Sequence, residues 1–169
     1  MSSDDLQATL QLSRPRKLAL GGAAVALMAV VVAAFAEMGA YFWIAVGSAL
    51  GGVARYWCSG ITARLWGETF PWGTLLINVV GSFVIGFFGT LTGPDGRVFV
   101  GSTARQFVMI GICGGYTTFS SFSLQTLNLL NDREWLGAGA YVGCSVGVCL
   151  VAVWAGYALA LGLSGLKFS

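Results

Sequence analysis

Long apolar runs separated by short polar clusters organise this chain of 169 residues. Residues 41–62, 72–91, 105–130 and 134–163 each approach or exceed the ~20 residues a helix needs to cross a bilayer. Their separators are recognisable. The stretch 64–70 closes on Pro71, TGPDGR at 92–97 is a turn cluster, and NDRE at 131–134 reads as a charged helix boundary. Trp43, Trp57, Trp66, Trp72 and Trp135 fall near the ends of these runs, where indole rings anchor helices at the membrane interface. A further apolar run, 18–36, precedes them, behind a polar tail at 1–17 that is expected to be disordered.

Composition fixes the class. Hydrophobic residues make up 56% of the chain and charged ones 9%, with a mean hydropathy of +0.78, against roughly 25% charged residues in ordinary soluble domains. An all-α membrane protein follows, with the lipid bilayer as its solvent and enough chain for one small helical bundle, so oligomerisation is plausible from the start. The net charge of +2 is too small for a nucleic-acid surface, and no basic run interleaves with aromatics. Histidine is absent, which removes the usual general base and the commonest metal ligand. Cys58, Cys113, Cys144 and Cys149 lie in apolar segments without C-x-x-C spacing and read as small packing residues.

Residues 18–36 admit three origins. Arg14, Arg16 and Lys17 followed by an apolar run ending in Ala34-Phe35-Ala36 have the order of a secretory signal. The length of the run suits an extra transmembrane helix. Met38, just ahead of the next run, fits an alternative start.

Small residues recur at helical spacing, as Gly47 with Gly51 and as the ladder Gly139, Gly143, Gly147, and such spacing lets helices approach closely in lipid. The runs contain no deep Asp or Glu, which argues against a proton-coupled or cation-exporting transporter. Their interior polar groups are uncharged. Asn78 lies mid-run with Thr74 and Ser82 on the same helical face; it either bonds a neighbouring helix or presents its NH2 to a polar conduit. Arg55, near the end of its run, either snorkels to the interface or supplies a charge that attracts anions to a vestibule.

The stretch GGYTTFSSFS at 114–123 is too polar for its surroundings. Glycines and hydroxyl side chains make a poor continuous helix, so a break is expected at 114–117. A break at membrane depth is tolerated where the freed backbone is buried or lines a wet cavity, and unwound carbonyls there can hold a cation such as Na+. Phe119 and Phe122 share a face at i, i+3. They are either packing residues or, through their electropositive ring edges, the lining of a path for a small anion.

The combination of Gly-Val-Ala-Arg55, WGTLLIN ending at Asn78, and G-x-x-GGYTTFSSFS resembles the CrcB or Fluc family of fluoride channels, in order and spacing, over about residues 40–165. The resemblance implies an antiparallel, dual-topology homodimer of four-helix subunits in the plasma membrane, in bacteria the inner membrane. It also implies two narrow fluoride pathways at the subunit interface and a structural, non-transported Na+ on the backbone carbonyls of Gly114 and Thr117. By position, the pathway would involve Asn78, Thr74, Phe119, Phe122, Tyr141 and Ser145, joined by the hydroxyls of Thr118, Ser120 and Ser121 and by Arg55. Cys149 departs from the family pattern, where a hydroxyl is frequent, and puts the far end of the polar track in question. No chemical step is required, so no enzyme activity is expected. Arg64 and Arg133 on one side balance Arg97, Arg105 and Lys167 on the other, which permits either orientation. A spanning 18–36 segment behind Arg14, Arg16 and Lys17 would favour a single one.

Overall fold

A computed structural model describes residues 3–67 and 69–165, which leaves Glu68 and Lys167 outside the described residues. The chain comprises two units, Met1–Gly39 and Ala40–Ser169. All described elements are helical: α1 (Ser3–Trp66), α2 (Trp72–Leu91), α3 (Ser102–Gln106), a π-helix (Phe107–Cys113), α4 (Gly114–Tyr116), α5 (Phe119–Asn131) and α6 (Trp135–Ser164). Trp72–Leu91, Ser102–Asn131 and Trp135–Ser164 are each long and apolar enough to cross a membrane. Val53, Leu136, Leu150 and Trp154 stand exposed, a surface suited to lipid or to another helix rather than to water. The protein is an all-α, multi-pass membrane protein.

The first helix departs from the sequence expectation. It runs from Ser3 to Trp66, so residues 3–17 are helical where a disordered tail was expected, and no interruption separates 18–36 from 41–62. The intervening Glu37-Met38-Gly39-Ala40 holds no proline, and one interior glycine costs only about 1 kcal/mol. Termination comes instead at Gly67, whose φ of +75° takes the chain out of the helix.

Backbone-to-backbone packing shapes the second unit. A Cβ on Gly86 would strike the Val153 carbonyl, and one on Gly156 would strike the Phe83 carbonyl, so α2 and α6 approach at both positions through glycine. The predicted pair on α1 is used in the same way. A Cβ on Gly47 would sit 2.7 Å from the Phe107 carbonyl oxygen, and Gly51 abuts Ile112 and Tyr116. Gly111 and Gly115 answer from the other side, against Gly47 and Ser48. The ladder Gly139, Gly143, Gly147, in contrast, has nothing within 4 Å of any added Cβ. Its packing partner is therefore not in the described part of this chain.

The ends of α2 and α6 are tied by arginine. Arg97 Nη1 donates to the Leu163 carbonyl at 2.8 Å, and Arg105 Nη2 donates to the Gly89 carbonyl at 3.3 Å, each placing positive charge where a helix C-terminus is negative. Gly165, at φ +68°, ends α6 in the left-handed conformation.

Replacing Gly156 by alanine is expected to destabilise the fold by roughly 1–3 kcal/mol, the range for overpacking, because its methyl meets backbone that cannot rotate aside. Gly143→Ala leaves the fold of the single chain unchanged. Thermal denaturation in detergent, followed by circular dichroism, compares the two.

Candidate functional site

The break predicted at 114–117 exists, one step later than the glycines implied. Gly114 is helical, at φ −65°, ψ −37°, and the chain leaves the helix at Thr117 (φ −78°, ψ 158°) and Thr118 (φ −154°, ψ 116°). The glycine pair serves other ends. Gly115 admits the backbone of Ser48, and Gly114 stands exposed and open. The segment leading to the break is a π-helix, a rare wide form concentrated at functional positions, which nothing in the sequence pattern signalled.

Asn78 holds the break. Its Oδ1 accepts the Thr118 N–H at 2.8 Å, and its Nδ2 donates to the Thr118 carbonyl at 3.0 Å, so one side chain on α2 satisfies both polar groups of an extended residue 40 positions away. Of its two possible roles, the bond to a neighbouring helix is observed, and one of the two amide N–H groups is left over for another acceptor. Thr118 then starts α5 as its N-cap. Its Oγ1 accepts from the Ser121 N–H at 3.2 Å, donates to the Ser121 hydroxyl at 3.1 Å and lies 3.2 Å from the Ser120 hydroxyl. Thr117 turns back, and both its N–H and its hydroxyl donate to the Cys113 carbonyl at 2.9 Å. Room for Thr117 comes from Gly81, one turn beyond Asn78, where a Cβ would collide with the Thr117 methyl.

Breaking a helix brings its two kinds of end together. The carbonyls closing α4 carry partial negative charge and the amides opening α5 partial positive charge. One site therefore suits a cation on its first side and an anion on its second.

A cleft of about 480 Å³ opens beside the break, and Asn78, Ser82, Gly114, Thr117, Thr118, Phe119, Phe122, Ser145 and Cys149 line it among apolar side chains. Phe119 is 78% exposed, and its ring centroid lies 5.3 Å from that of Phe122. Ser145 is buried, at 6% exposure, and its hydroxyl has no hydrogen-bond partner. Such an orphan costs about 1–3 kcal/mol when nothing satisfies it.

The other sequence-selected residues fall nearby but not in that cleft. Tyr141 is wholly buried, packs its ring 5.2 Å from that of Phe122, and donates its hydroxyl to Gln125 Oε1 at 2.9 Å. Thr74 and Gln125 line a second cavity, more polar, with Ser59, Thr62, Asn128 and Asp132. Ser120, Ser121 and half-buried Arg55 line a third, with Ser48, Tyr56 and Ser59. The polar set thus divides among three openings, two of them at the start of α5 and one along its second half. Gln125 escaped sequence analysis, although its place one turn beyond Phe122 on the same face could have revealed it.

Comparison with known proteins agrees with the motif pattern. The sequence profile of the family described as "CrcB-like protein, Camphor Resistance (CrcB)" matches residues 42–157. A protein of Opitutus terrae named "Fluoride-specific ion channel FluC" is 61% identical over 132 residues, which is 78% of this chain and 100% of the relative. Its namesakes are each 59% identical, in Methylocella silvestris over 75% of this chain and 97% of the relative, and in Rhodospirillum rubrum over 69% and 91%. Because profile and relatives agree over most of the chain, it belongs to the CrcB/Fluc family.

Proposed function

We propose that the protein is a fluoride-selective channel of the cell membrane, in bacteria the inner membrane, exporting fluoride passively through two pores at the interface of an antiparallel homodimer of four-helix subunits. The unsatisfied Ser145 hydroxyl, in a cleft shared with Asn78, Phe119 and Phe122, is the observation that carries the pathway. The names of relatives 59–61% identical carry the identity of the ion. Fluoride is small and tightly hydrated, so a path must replace its water with hydrogen-bond donors while binding weakly enough to release it. Neutral donors, namely the spare Asn78 N–H, the Ser145 hydroxyl and aromatic ring edges, meet both demands where a fixed cation in the path would not. Thr74 extends the donors toward one mouth, where Tyr141 has its hydroxyl proton engaged by Gln125, and Arg55, with Ser120 and Ser121, attracts anions at another. Conduction requires no bond-making, so the protein is not an enzyme.

Support for the homodimer comes from faces left unfinished by one chain. Phe119 is exposed at the cleft, and the α6 glycine ladder faces open space, the profile of a close helix contact awaiting a partner.

The cation part rests on the chemistry of the break. Carbonyl oxygens are hard donors suited to Na+. Gly114 is open enough to be approached, since a Cβ there would meet only the Met109 carbonyl at 3.9 Å. Gly114 and Thr117 would hold the ion, which would supply fixed positive charge that ties the broken helices together.

Vesicles containing the purified protein are expected to release fluoride and retain chloride, read with ion-selective electrodes, and Phe119→Ile or Asn78→Asp to abolish release. Equal chloride flux would refute the assignment. Ser145→Ala separates function from stability. Removing an unsatisfied buried hydroxyl leaves the melting temperature unchanged or higher, while loss of one hydrogen bond to a charged species, about 1.5 kcal/mol, slows fluoride flux roughly tenfold. For topology, a cysteine introduced in the 92–97 turn should be labelled from both sides of the membrane; labelling from one side alone rules out dual orientation.

A further inference from the structure

The geometry at Thr118 assigns Asn78 a task beyond donating to an anion: we infer that it is a positioning residue for the cation, setting Na+ affinity by keeping the Gly114 carbonyl free of its helical hydrogen bond. The inference rests on the sodium part of the proposed function.

In an unbroken α-helix the N–H of residue 118 bonds the carbonyl of residue 114. Here that N–H is taken by Asn78 Oδ1 at 2.8 Å, and Asn78 Nδ2 fixes the adjoining carbonyl at 3.0 Å. Gly114 thereby loses its helical donor, while the preceding carbonyl, of Cys113, is saturated by two bonds from Thr117. Asn78 thus determines which carbonyl of the turn is exposed to a cation. The bidentate grip also holds Thr118 extended, which keeps the Thr117 carbonyl from returning to a helical ladder. An aliphatic side chain at 78 would release the Thr118 N–H, and the nearest acceptor in helical register is the Gly114 oxygen itself.

The acceptor and donor roles of Asn78 can be separated by substitution. Asn78→Leu removes both hydrogen bonds. Asn78→Asp keeps an oxygen for the Thr118 N–H, loses the bond to the Thr118 carbonyl, and places a negative charge beside the anion path.

The test uses the full-length protein in detergent without fluoride. Thermal unfolding is followed by circular dichroism over a range of Na+ concentrations, with N-methyl-D-glucamine holding ionic strength constant. The wild type is expected to gain stability as Na+ rises. Asn78→Leu should need at least about tenfold more Na+ for half the effect, an order of magnitude in dissociation constant. Asn78→Asp, whose carboxylate still accepts the Thr118 N–H and adds negative charge near the carbonyls, should need no more Na+ than the wild type although it conducts no fluoride. A merely structural role would lower the melting temperature by the same amount at every Na+ concentration without moving the midpoint, and that result overturns the inference. Loss of the Na+ response in Asn78→Asp also overturns it, and this variant decides if Asn78→Leu does not fold. A wild type indifferent to Na+ would sink the sodium reading and this inference together, leaving fluoride conduction to be judged by flux alone.

Discussion

Two hydrogen bonds between one asparagine and one backbone residue make the rest of this site possible. A helix interrupted within an apolar run leaves an N–H and a carbonyl where water is scarce, and each unmet group costs several kcal/mol in hydrocarbon. Asn78 satisfies both at Thr118 with a single planar group. From that follow the extended Thr117-Thr118 pair, the capped start of α5 and the opposed helix ends that bring a carbonyl surface and an amide surface together. The polar decapeptide at 114–123 is tolerated because α2 supplies what the helix gave up.

Small residues do three different jobs in the same fold. Gly86 and Gly156 fuse α2 to α6. Gly47, Gly51, Gly111 and Gly115 seat α1 against the broken helix. Gly81 clears space for one methyl group of Thr117. Spacing singled out only Gly47 with Gly51 and the ladder at 139, 143 and 147, and only three-dimensional placement tells an internal contact from an open one. The pair on α1 proved internal, and the ladder on α6 faces outward.

Much of this was legible in the chain. Apolar length gave α2 and α6 almost to the residue, and the helix break could be read from local chemistry, because glycines and hydroxyls compete with helical hydrogen bonding. The break lies at the threonine pair, where Asn78 takes up both polar groups of Thr118 while Gly115 packs against Ser48, tertiary demands that local propensity does not encode. Asn78 was visible as an anomaly, but its partner 40 residues away was not, since nothing in a single sequence records that pairing. The π-helix and the Tyr141–Gln125 bond likewise depend on contacts between distant elements. α1 erred in the other direction. A run of polar residues followed by a charge cluster that includes Pro15 reads as a boundary, since an interior proline costs a helical hydrogen bond, yet the helix continues through it.

At Gly47, Gly51, Gly111 and Gly115 the contact between α1 and the segment 107–116 brings main chain close to main chain, and this bears on how the site can move. Side chains at an interface absorb small displacements by changing rotamer, so neighbouring elements can slip past one another by fractions of an ångström. Gly47 and Gly51 against Gly111 and Gly115 have no rotamers to change. Residues 47–51 therefore meet the broken helix without side chains that could take up a shift between them.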